Sequence, residues 1–127
     1  GSGRCLAYRL NGAGESAAAP SRYESRFAPS ANVSDSRVSL PSVLDSLAGL
    51  DECNEVLVEA GATLSASFIE AGLVDELIVY IAPKLLGSDG RPLLGISGLD
   101  RLSDALEFDV NTVELIGADI KVTLRPR

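Results

Sequence analysis

Residues 77–82 (LIVYIA) are apolar at every position and stop at Pro83. Successive side chains of a strand point to opposite faces, so a run without a polar position suits a strand covered on both sides. Such strands belong to α/β sheets, and the preceding chain fits that arrangement. Residues 55–58 (EVLV) form a second short apolar run of the buried parallel type. From residue 63 to 71 the period becomes helical, with Leu64, Phe68, Ile69 and Leu73 on one face, and Gly72 supplies a left-handed residue at the helix end. The expectation is a strand–helix–strand unit in which 55–58 and 77–82 are neighbouring central strands.

The flanking segments complete one α/β domain. Residues 4–10 (RCLAYRL) alternate well enough for a strand. Residues 11–37 read as a long flexible connection, opening on an Asn-Gly turn and broken by Pro20 and Pro29, with room for one short element in 22–28 (RYESRFA). Ser39 or Pro41-Ser42 starts a helix whose stripe is Leu40, Val43, Leu44, Leu47 and Leu50, with Gly49 as its stop. After Pro83 comes an irregular loop rich in glycine. Two last strands, 106–115 and 120–124, then meet at Gly117-Ala118-Asp119 as an antiparallel hairpin.

Composition removes whole classes of function. The 127 residues include no histidine, so Ser-His-Asp and Cys-His nucleophiles and imidazole metal ligands are excluded. Cys5 and Cys53 are too few for a disulfide scaffold or a four-cysteine zinc site and suit a reducing cytoplasm; no metal is expected. Eighteen acidic residues against 11 basic ones argue against a grip on nucleic acid, which needs clustered Lys and Arg. No apolar run approaches the ~20 residues of a membrane span. The chain has no methionine, and Gly1-Ser2-Gly3 reads as a cloning remnant, which leaves residues 4–127 as part of one domain.

Chemistry concentrates at the junction between residue 58 and the next helix. Ligands of open α/β sheets collect at the carboxyl ends of strands, and a helix N-terminus there offers unpaired N–H groups to a phosphate. Gly61 and Ala62 let a pyrophosphate come close to the backbone, and Thr63 and Ser65 add hydroxyls. Glu59 stands at the rim as an acceptor for N–H or O–H groups. The same residues also fit an ordinary strand-to-helix turn with a solvated carboxylate. Neither a Rossmann nor a Walker glycine pattern is present. Asp75 and Glu76 point to opposite faces of a strand and read as polar residues at its entrance, Lys84 as a surface lysine, and Asp100, Arg101 and Asp104 as a solvated helical turn.

The run NEVLVEAGATLSASFIEAGLVDELIVYIAPKLLGSDGRPLL, residues 54–94, resembles the C-terminal reductase domain of the bifunctional riboflavin-biosynthesis deaminase/reductase. The likeness lies in a strand ending Glu-Ala-Gly, a helix, Asp-Glu-Leu, a strand and Ala-Pro-Lys-Leu-Leu-Gly; the ending from Gly117 to Arg127 is similar too. The resemblance implies a three-layer, dihydrofolate-reductase-like mixed sheet, present here as its C-terminal portion. It also implies an NADPH-dependent reduction of the ribosyl side chain of 5-amino-6-(5-phosphoribosylamino)uracil to ribityl, with hydride passing to C1′ of the sugar. By position, Glu59 would contact substrate, and Gly61, Ala62, Thr63, Leu64, Ser65, Ala66 and Ser67 would contact the cofactor; no catalytic residue is assigned. Position 62 is Ala where the family often has Pro. A homodimer of reductase domains, with the C-terminal strands near the contact, is a further implication.

The family's opening reductase portion and its zinc deaminase motifs have no counterpart here, so the isolated chain is expected to hold half of the site and to be inactive. Two other readings stand beside the reductase: a non-catalytic half-domain serving assembly, and a generic phosphate- or nucleotide-binding module.

Overall fold

The structure, a computed structural model, describes residues 6–10, 24–28, 37–51 and 53–127. The chain divides into two compact units, Gly1–Leu57 and Val58–Arg127.

In the first unit, β1 (Leu6–Leu10) and β2 (Glu24–Ala28) pair in parallel, from Leu6 opposite Glu24 to Leu10 opposite Ala28. The short element within 22–28 is therefore a strand; the remainder of 11–36 lies outside the described residues. Helix α1 (Leu40–Asp51) begins at Ser39, whose Oγ accepts the Ser42 N–H at 3.4 Å and the Ser42 hydroxyl at 3.0 Å. Ser39 thus satisfies one of the first-turn donors, and Pro41 has no N–H to leave unmet there. Leu40, Val43, Leu44 and Leu47 of the stripe are half-buried. Gly49 is not the stop. The helix runs to Asp51, and the Cys53 N–H closes it on the Leu47 carbonyl at 3.2 Å. Glycine weakens a helix interior by only about 1 kcal/mol, too little to end one that packs on a side.

The second unit holds α2 (Ala62–Glu70), β3 (Leu77–Ile81), a 3₁₀ turn at Leu102–Asp104, β4 (Phe108–Ile116) and β5 (Asp119–Pro126). Helix α2 ends as its glycine requires. Gly72 takes φ 65°, its N–H donates to the Ile69 carbonyl and the Leu73 N–H to the Phe68 carbonyl, both at 3.0 Å, which caps two orphan carbonyls. The inward side of α2 departs from the expected stripe at Leu64. Leu64 is exposed, whereas Ala66 and Phe68 are buried and Ala62, Ser65 and Ile69 half-buried. Phe68 and Ile69 of the expected stripe thus face inward, with Leu73 half-buried beyond the helix end, and the small residues at 62, 65 and 66 widen that side.

The three strands form an antiparallel sheet in the order β3-β5-β4. Two expectations are corrected here. Residues 55–58 are in no strand, and Val56, Leu57 and Val58 are exposed. Strand β3 lies at the sheet edge among the described residues, with Ile78, Tyr80 and Ile81 exposed, and β5 takes the centre. Continuous apolarity says that a strand suits burial; its neighbours are set by non-local pairing.

The expected hairpin is present. Gly117, at φ 64°, and Ala118 join Ile116 to its partner Asp119, a two-residue turn that needs a positive φ at its first position. A bulge between Val110 and Thr112 absorbs Asn111, so that Val110 opposite Leu124 and Val113 opposite Val122 share one face despite their odd spacing. Cross-strand partners point the same way. One face therefore gathers Leu77, Val79, Ile81, Ile120, Val122, Leu124, Val110, Val113 and Leu115. The other carries Tyr80, Lys121 and Glu114, the last two ion-paired at 3.5 Å. On the apolar face Val113 is 63% exposed and Leu115 77%.

Candidate functional site

Residues 59–67 all lie in the second unit and form one continuous feature, an extended approach followed by the first turns of α2. Gly61 is the residue before the helix, at φ −72° and ψ 169°, and no side chain caps it. The first bond of the helix runs from the Ser65 N–H to the Gly61 carbonyl at 3.1 Å. The N–H groups of Ala62, Thr63 and Leu64 precede that bond, so they are the donors a helix start leaves unpaired. Among the described residues nothing approaches within 4 Å of the position a Gly61 Cβ would occupy, and the exposed backbone here is open to a ligand. Partial positive charge at the same end favours an anion.

The hydroxyls divide by role. Ser65 Oγ donates to the Ala60 carbonyl at 3.3 Å and Ser67 Oγ to the Thr63 carbonyl at 3.0 Å. Both protons are committed within the turn, which leaves their lone pairs as acceptors. Thr63 is exposed, and its hydroxyl has no partner among the described residues, so it is the one that can donate outward. Ala66, 1% exposed, serves packing. Glu59 is exposed, and its carboxylate has neither a hydrogen bond nor an ion pair among the described residues. It is an acceptor held two residues before the positive end of α2.

A segment that the sequence left as plain loop also reaches this turn. The Gly95 N–H donates to the Ala62 carbonyl at 3.0 Å. No local pattern announces that contact, because it joins residues far apart in the chain. The other polar groups stay apart from the site. Glu76 pairs with Arg125 at 3.8 Å at the entrance to β3, Lys84 is exposed just past its end, and the 3₁₀ turn ties Asp104 Oδ2 to the Arg101 N–H at 3.2 Å. Among the described residues no group of His, Cys, Asp or Glu could hold a metal ion.

A cavity of about 410 Å³ lies at the opposite end of α2, lined by Ile69, Glu70, Val74, Phe108 and Arg127 among others. Its one cation is already engaged, since Arg127 donates to Asp109 at 2.7 Å and to Glu107 at 3.1 Å. Asp109 first, and Glu107 after it, hold the guanidinium above its ordinary range. Seven helical residues, 62–68, lie between Gly61 and the first lining residue Ile69, a rise of roughly 12 Å at 1.5 Å per residue. It is a structural crevice beside the C-terminal ion pairs.

Comparison with known proteins agrees with the motifs of residues 54–94. The riboflavin biosynthesis protein RibD of Escherichia coli K12 is 51% identical over 72 residues, which cover 57% of this chain and 20% of that protein. A Buchnera aphidicola protein named 5-amino-6-(5-phosphoribosylamino)uracil reductase is 42% identical over 79 residues, covering 62% of this chain and 38% of its own. The chain thus spans well under half of the relatives it matches. Acinetobacter baumannii RibD shares the fold with a TM-score of 0.72 at 27% identity, over 96% of this chain and 37% of that one. The α/β, dihydrofolate-reductase-like architecture with its closing hairpin is therefore that of a RibD reductase portion. The family model described as the RibD C-terminal domain matches residues 13–122. Its span takes in the approach, α2, β4 and the first half of β5, and the chain belongs to the RibD C-terminal domain family.

Proposed function

We propose that this chain is the C-terminal part of an NADPH-dependent reductase that converts the ribosyl side chain of 5-amino-6-(5-phosphoribosylamino)uracil to ribityl in riboflavin biosynthesis. The observation that carries the reading is the uncapped start of α2. It offers three unpaired N–H groups behind an unobstructed Gly61, in a chain of the RibD C-terminal domain family. NADPH supplies the hydride. The N–H groups of residues 62–64 and the Thr63 hydroxyl bind its phosphates, and the Gly61 backbone allows their close approach. Glu59 accepts hydrogen bonds from the substrate, because the phosphates of the cofactor repel a carboxylate.

Two finer points belong to the same reading. The bare apolar face bearing Val113 and Leu115 supports association into a homodimer, since contiguous exposed apolar surface marks a contact. A monomer by light scattering at high concentration would count against it. Cys53 is a free, exposed thiol, which suits a reducing cytoplasm. The function itself is tested by following NADPH oxidation at 340 nm with the pyrimidine substrate and the full-length protein, an absorbance change general to reduced nicotinamides. Substrate-dependent oxidation is expected. Phosphate or nucleotide binding without turnover would favour a binding module instead.

A further inference from the structure

Two observations meet at Gly95. Its N–H donates to the Ala62 carbonyl at 3.0 Å, and among the described residues this is the backbone bond that joins the loop between β3 and the 3₁₀ turn to α2. A Cβ built on Gly95 would lie 3.5 Å from that same oxygen, 3.6 Å from its carbon and 3.7 Å from the Thr63 Cα. The loop backbone thus rests directly on the first turn of the helix. A carbonyl has two lone pairs, so that of Ala62 can serve both the helix ladder and the loop.

We infer that Gly95 is a positioning residue for the first turn of α2. The inference rests on the reading that this turn meets the cofactor, and it adds the group that holds the turn in place. The loop is exposed over nearly all its length and contains Gly87, Gly90, Gly95 and Gly98, so its own conformation supplies little restraint. One bond fastens it where residues 62 and 63 present their N–H groups. A methyl at position 95 makes ordinary contact, whereas a β-branched side chain must place two γ carbons around the same short approach.

Three variants of the full-length protein separate the possibilities. Gly95→Ala keeps the donor and the fit, Gly95→Pro removes the donor, and Gly95→Val keeps the donor but crowds the contact. The expected result for Gly95→Pro is a KM for NADPH raised about fivefold or more with kcat within about twofold, the scale of one lost hydrogen bond. Gly95→Val changes in the same direction, and Gly95→Ala stays near the parent. Amide hydrogen exchange gives a readout independent of turnover: Ser65 and Ala66 should exchange about fivefold faster in the Pro variant and at the parental rate in the Ala variant. Unchanged exchange and KM in both Pro and Val variants overturn the inference. A KM change without faster exchange also overturns it, because the effect then bypasses the turn; faster exchange without a KM change reduces the contact to a structural one. If the parent protein shows no NADPH-dependent reduction, the functional reading fails, and the exchange measurement still decides whether Gly95 holds the turn.

Discussion

Replacing Glu59 by glutamine isolates the role of the carboxylate at the mouth of α2. The side chain is exposed and has no hydrogen bond or ion pair among the described residues, so Glu59→Gln breaks nothing within the described fold. Stability should therefore stay within about 0.5 kcal/mol of the parent, as for other surface exchanges. The loss is confined to the bound state. A hydrogen bond to a charged acceptor contributes about 1.5–3 kcal/mol, and glutamine keeps the shape with one oxygen and no charge. At about 1.4 kcal/mol per decade, kcat/KM for the pyrimidine substrate should fall by about one to two orders of magnitude. The KM for NADPH should change little, or fall slightly as a repulsive charge near the phosphates is removed. Steady-state kinetics of the full-length protein with each substrate varied in turn measures both, and circular dichroism checks the fold. A collapse of cofactor affinity with substrate efficiency retained would refute the assignment and place Glu59 with the cofactor loop.

Thr63→Val should weaken NADPH binding by about two- to tenfold, the range of a neutral hydrogen bond, whereas Ser65→Ala should do less because the Ser65 proton is already given to the Ala60 carbonyl; equal effects in a fluorescence titration would contradict that division. Gly72→Ala forces a side chain into φ 65° at the end of α2 and should cost about 1–2 kcal/mol in urea denaturation, and a loss near zero would show that the cap relaxes. The isolated chain should bind NADPH more weakly than micromolar, because the start of α2 is open to solvent and binding pockets normally enclose most of a ligand. Calorimetry showing micromolar or tighter affinity would mean that this chain already contains the walls of the site.

Local rules made much of the fold legible. Gly72 after an apolar helical run and Gly117 between two alternating strands both take the positive φ that their positions require, and Ser39 caps α1 from its Oγ. What failed was non-local. The six apolar residues 77–82 identify a strand but not its place, and β3 pairs with β5 alone among the described residues. Residues 55–58 have the composition of a strand and no ladder. The bulge at Asn111 hides in sequence as a lapse in alternation, and only the partner strand shows that Val110 and Val113 share a face. The stripe of α2 was incomplete for a related reason: Phe68 and Ile69 turn inward as their size suggests, whereas Leu64 is exposed and close approach adds Ala62, Ser65 and Ala66. Apolar area is one way to pack a helix, and small size is another.

The candidate site was easier to find than the sheet because its parts are consecutive. A carboxylate, a glycine and a helix start within residues 59–64 need no tertiary contact to be adjacent, and the helix geometry alone aims the N–H groups of 62–64 outward along the axis. The same small residues do two jobs. Gly61, without a side chain, leaves the outer approach clear, and Ala62 and Ala66 let the inner side pack closely. Sequence could not tell which hydroxyls remain available, because that depends on which carbonyl each meets. Ser65 and Ser67 sit within reach of the carbonyls of Ala60 and Thr63 and turn their protons to them, while Thr63 at the second helical position has no such carbonyl partner among the described residues. The backbone therefore selects Thr63 as the outward donor, and a hydroxyl at that position carries a consequence that the neighbouring serines do not.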